Sequence, residues 1–155
     1  MKKHLVAALA AFSFAGGAHA VSVETSGVVL DQCTFGSVDA GVFGSNVSDP
    51  TRISTSDPGG TGGSVSFTYT GTPTLQVQAP TSLIESPELG SITPVFETLA
   101  TTPAKGGLTF AEGIATTKYT TGSSDTLDLG QVVSSGTTDN LPGGTYRLAV
   151  TVTCS

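Results

Sequence analysis

Val65-Ser66-Phe67-Thr68-Tyr69-Thr70-Gly71-Thr72-Pro73-Thr74-Leu75-Gln76-Val77-Gln78-Ala79 decides the fold, because apolar side chains occupy every second position on both sides of Gly71-Thr72-Pro73. Successive side chains of an extended chain point to opposite faces, so each half reads as a strand with one buried face. Glycine tolerates positive φ and proline fixes φ at the joint between them. The spacing predicts a hairpin.

Further along, Tyr146, Leu148, Val150, Val152 and Cys154 alternate with Arg147, Ala149, Thr151 and Thr153. This is a last strand with one buried face, preceded by the turn Leu141-Pro142-Gly143-Gly144. Weaker strands are expected over 92–99, 113–121 and 127–133, each rich in Thr, Val, Ile or Tyr and bounded by turn residues. No stretch keeps the period of about 3.6 that a helix needs. About seven short strands with frequent turn signals favour an antiparallel β-sandwich over a barrel or a parallel sheet. The polar stretch 45–63, with Pro50, Pro58 and Gly59-Gly60-Thr61-Gly62-Gly63, reads as a mobile surface loop.

At the start, Lys2 and Lys3 precede an apolar run from Leu5 to Ala15, and Gly16-Gly17-Ala18-His19-Ala20 follows. A charged start, a short hydrophobic centre and an A-x-A ending describe a secretory signal peptide, with cleavage expected after Ala20. The run is shorter than the roughly 20 residues that span a bilayer. The expected mature chain, 21–155, is then one soluble domain. It keeps four basic residues, Arg52, Lys105, Lys118 and Arg147, against twelve acidic ones, a net charge of −8. Such a balance repels phosphate backbones and anionic headgroups, so neither nucleic acid nor a membrane is an expected partner.

Cys33 and Cys154 are the two cysteines of the chain. Two thiols exported to an oxidising compartment are most simply one disulfide, here tying the first part of the mature chain to its end. A crosslink between chains through the nearly terminal Cys154 is the alternative.

The inventory argues against catalysis. Both histidines, His4 and His19, fall in the leader, which leaves no Ser-His or Cys-His relay and no histidine-containing zinc site in the mature chain. There is no G-x-S-x-G elbow, P-loop or G-x-G-x-x-G, and the glycines at 59–63 lack the lysine and helix of a phosphate cradle. Nothing places Lys105 or Lys118 beside a particular serine. The carboxylate pairs Glu85 with Glu88 and Asp125 with Asp128 read as solvated surface charge, since neighbours in one strand or turn rarely face each other across a cleft. No enzyme activity, catalytic residue, cofactor or metal is expected.

The N-terminal segment carries a phase change. Val21, Val23 and Thr25 share one parity, Val28 and Leu30 the other, and Gly27 lies between them. A period-2 pattern that switches phase at a glycine bulges, bends or ends there. The stretch 21–26 is a candidate arm, and a single edge strand with a bulge is the other reading.

Together, this arm, Cys33-Thr34-Phe35-Gly36-Ser37-Val38, Gly62-Gly63-Ser64-Val65-Ser66-Phe67-Thr68-Tyr69 and the ending from Leu141 to Thr153 resemble the spore coat protein U family. That family is similar to the pilins of archaic, Csu-type chaperone-usher pili. The resemblance implies an immunoglobulin-like sandwich whose missing strand comes from a neighbour's N-terminal arm, and hence a secreted or cell-surface subunit of a fibre, pilus or coat, exported through the periplasm. It implies self-assembly with copies or related subunits, and a periplasmic chaperone and usher as partners. Val21, Val23 and Val29 would be the inserted side chains. The family commonly pairs its first cysteine with one at the end of the following strand, where this chain has Tyr69. A Cys33–Cys154 bond would instead pin the first strand beside the last and help to complete the domain within one chain. The alternative function is a secreted binding module that stands alone and uses its loops.

Overall fold

A computed structural model describes residues 32–120 and 122–155; the leader and the arm residues Val21, Val23 and Thr25 lie outside the described residues. The described residues form strands joined by turns, with no helix among them: β1 (Gln32–Asp39), β2 (Gly44–Ser45), β3 (Arg52–Ser54), β4 (Gly63–Thr70), β5 (Thr74–Gln78), β6 (Val95–Thr102), β7 (Gly106–Gly107), β8 (Phe110–Ala111), β9 (Ile114–Lys118), β10 (Ser124–Ser134) and β11 (Thr151–Cys154). Seven of these have four residues or more, and the other four are fragments of two or three.

All pairings are antiparallel, and they make two sheets that form a sandwich. In the larger sheet β10 is the spine. One of its edges carries β4 along Ser124 to Leu129 and then β3 along Val132 to Ser134, while the other carries β6. β1 lies outside β4 and ends that side of the sheet. The smaller sheet runs β11-β5-β9-β8.

Alternation placed the side chains correctly and one connection wrongly. Val65, Phe67 and Tyr69 of β4 and Leu75 and Val77 of β5 are all buried. The two strands are not partners, however, because β4 is flanked by β1 and β10, and β5 by β11 and β9. The expected hairpin is therefore an arch that crosses between sheets, with Gly71 at φ 71° and Pro73 fully buried at the crossing. Three turn residues serve either geometry, and the core rewards the arch because the two apolar faces then meet. Phe67 and Tyr119 pack edge to face with centroids 5.5 Å apart, and Tyr69 and Tyr119 lie 4.7 Å apart.

The last strand keeps its expected faces but only part of its pairing. Thr151 to Cys154 pair with Gln78 to Leu75. Continuing that register would set Ala149 opposite Pro80, which has no N–H to offer. Pairing resumes only as an isolated bridge between Arg147 and Glu85. The stretch 45–63 also differs from a loose surface loop: β3 joins β10, and Ser54, Thr55 and Asp57 are buried. Gly44 makes this close packing feasible. A Cβ there would lie 2.5 Å from the Asp57 carbonyl oxygen and 2.6 Å from the Gly60 nitrogen.

Candidate functional site

β1 pairs with β4 alone and β11 with β5 alone, so each sheet ends in a strand with one unpartnered edge among the described residues. The two edges lie on the same side of the sandwich. Cys33 at the start of β1 is bonded to Cys154 at the end of β11, with 5.8 Å between their Cα atoms. β1 runs away from the bond and the last strand runs towards it. The two are not paired with each other, and between them lies a groove of about 1140 Å³. The disulfide pins the first strand beside the last at one end only, and the two strands do not pair beyond it. A disulfide fits an oxidising, extracytoplasmic compartment, and no helix among the described residues is long and apolar enough to cross a membrane.

The walls of the groove are apolar and under-covered. β1 changes register between Phe35 and Val38, with the Ser37 N–H donating to Ser66 Oγ at 2.9 Å. This bulge turns both Phe35 and Val38 towards the core side, since their partners Phe67 and Val65 face inward. Yet Phe35 is 40% exposed and Val38 72%, because no strand of the opposite sheet reaches over them. On the other wall Tyr146, Leu148, Val150 and Val152 are only half buried. The Tyr146 hydroxyl donates to the Pro142 carbonyl at 2.7 Å and ties the rim to the preceding turn, and burial raises its pKa. This wall is the alternating ending of the sequence, and its inward face is the groove.

Beyond the start of β4 the floor drops to β10, where Leu129 is followed by Gln131. Gln131 is 7% exposed. Its backbone N–H donates to Thr55 Oγ1 at 2.9 Å, and its Oε1 accepts from the Thr98 hydroxyl at 3.1 Å. Its Nε2 has no hydrogen-bond partner. Nearby, Arg52 Nη2 donates to the buried Asp57 Oδ1 at 3.1 Å. Sequence reading missed Gln131, although its place in Leu127, Leu129, Gln131, Val133, all of one parity, marks it as a polar residue on an inward face.

The remaining candidates are scattered. Glu85 pairs with Arg147 at 3.5 Å on the surface. Asp125 is not a solvated charge: it is half buried and accepts the Tyr119 hydroxyl at 2.9 Å. Burial, together with that carboxylate, pushes the Tyr119 pKa up to about 12. Lys105 stands over the same ring, with Nζ 5.2 Å from its centroid. Tyr119 at the centre of this cluster is fully buried in the core.

No protein-family model, curated protein or solved structure matches the chain.

Proposed function

We propose that this protein is a secreted structural subunit of a surface fibre, pilus or coat, and that copies assemble by β-strand addition into the groove between β1 and β11. One observation carries the reading: two sheet edges, unpaired among the described residues, flank a long apolar groove in which Phe35 and Val38 lack cover. An exposed edge is a template for another strand, which gains main-chain hydrogen bonds along its length and inserts alternate side chains. The N-terminal stretch supplies such a strand in sequence, with Val21, Val23 and Thr25 on one face. The resemblance to spore coat protein U and archaic pilins agrees with this assembly. A periplasmic chaperone would cover the same edges before assembly.

Size-exclusion chromatography and negative-stain microscopy of mature protein 21–155 test the proposal. Ladders or fibres are expected, and Val23→Asp should abolish them while leaving a folded subunit. Unchanged assembly of that variant would exclude the arm as the added strand. A sharp monomer peak for the unaltered protein would favour a module that stands alone.

A further inference from the structure

We propose that the free edge of β6, from Val95 to Leu99, is a second self-pairing surface on which two copies of this chain meet antiparallel about a two-fold axis at Glu97, and that the Glu97 charge holds this pairing off. The proposal stands apart from the groove and from strand addition there.

Along one edge β6 pairs with β10 without a break from Val95 to Thr101. On its other edge β7 takes Thr101 and Thr102, and the Leu108 N–H donates to the Ala100 carbonyl at 2.8 Å. The N–H and C=O of one strand residue point to the same edge, and those of the next residue point to the other. Ala100 therefore fixes the parity. The backbone groups of Phe96 and Thr98 face the free edge, where no strand among the described residues meets them.

This window is bounded on both sides. Pro94 has no N–H to offer, and Ala100 is occupied by the Leu108 segment. An identical strand added antiparallel must set open residues opposite open residues. Placing Phe96 opposite Phe96 would put Thr98 on Pro94, and placing Thr98 opposite Thr98 would put Phe96 on the occupied Ala100. Only strands centred on Glu97 form four main-chain hydrogen bonds, with Phe96 of each copy facing Thr98 of the other.

The side chains fit that register in shape and oppose it in charge. Val95 is 46% exposed and Leu99 64%, with Glu97 exposed between them on the same face. In the pair each Val95 faces the Leu99 of the other copy, and two Glu97 carboxylates meet at the centre on Cα atoms about 4.5 Å apart. Across the sheet from Glu97 stand Val132 and then Ser54, so no cation in that row neutralises it. Arg52, at the next outward position of β3, is held by Asp49 and Asp57. Like charges directly opposite destabilise a cross-strand pair, and exposed edges are commonly kept single by such a charge.

The test places reporter cysteines in the chain 21–155 as Val95→Cys with Leu99→Cys, and reads links between chains on non-reducing gels with mass spectrometry of the joined peptides. With Glu97 present links should be few, and adding Glu97→Gln should raise them about tenfold or more, from position 95 of one chain to 99 of another. Reporter chains carrying Glu97→Lys should stay unlinked alone, yet should link 95 to 99 when mixed with reporter chains that keep Glu97. Equal linking in all these samples would overturn the role of the charge. Links from 95 to 95 or from 99 to 99 would overturn the register. No links in the Glu97→Gln chain or in the mixture would overturn the surface itself. So would equal linking through Thr116→Cys, exposed on the other sheet, since collision alone would then account for the yield. Strand addition in the groove is read by Val23→Asp and stands or falls independently of these results.

Discussion

Replacing both Cys33 and Cys154 by Ser removes a crosslink that spans 121 residues. In the chain-entropy account, closing a loop of this length lowers the freedom of the unfolded chain by about 5 kcal/mol, which is comparable to the whole stability of many domains, about 5–15 kcal/mol. Native contacts give little to offset the loss. β1 is an edge strand whose Phe35 and Val38 remain largely exposed, so its attachment rests on the β4 ladder and the bond. β11 is held by four residues of β5. With a urea slope of about 1–3 kcal/mol/M, the double variant should unfold at a midpoint at least about 1.5 M lower, or fail to fold at 37 °C. A thiol assay on the unfolded, unreduced native protein should find none. Two titratable thiols would refute the bond, and a midpoint shift under about 0.5 M would refute the entropic reasoning.

Phe67→Ala opens a void where three aromatic rings and Val65 meet, and chemical denaturation should show a loss of about 3–5 kcal/mol. Gly44→Ala forces a methyl group into backbone atoms of 57–60, and should cost about 1–3 kcal/mol with the far end of the groove distorted. Tyr119 titrates at about 12 when folded, against an ordinary value of 10.0. Its raised pKa means that the neutral phenol stabilises the fold fully below pH 10, and that this contribution drains away as pH rises towards 12. Denaturation midpoints taken from pH 9 to 12 should fall, and Tyr119→Phe should fall less over the same range.

Legibility in the sequence followed the physics of each element. Residues 146–154 announced their inward face because alternation depends on the chain alone, whereas their broken pairing depends on Pro80, which lies just past the end of β5. The Gly71–Pro73 joint was visible as a turn, but whether it closes a hairpin or crosses between sheets is set by which neighbours claim the edges of β4. In β1 the bulge at Gly36 and Ser37 moves the inward positions from Phe35 to Val38, so no single parity runs through the strand. Polar composition made 45–63 look like solvent-facing loop, yet Arg52 lets Asp57 be buried as a pair, and Gly44 lets backbones touch there. The groove itself is a property of missing neighbours. No residue pattern within one chain encodes the absence of a strand beside it.

That absence and the disulfide act together. An open sandwich edge invites indiscriminate pairing, which proteins ordinarily blunt with charge, proline or a bulge. Here β1 carries the bulge, and the net charge of −8 over residues 21–155 sets copies against one another at long range. A strand that enters must therefore gain at short range, from main-chain hydrogen bonds and apolar insertion. The Cys33–Cys154 bond ties β1 to β11 at one end, so under the strand-addition proposal a strand attached to a folded domain would enter from the other end, and an assembly built that way would have one polarity.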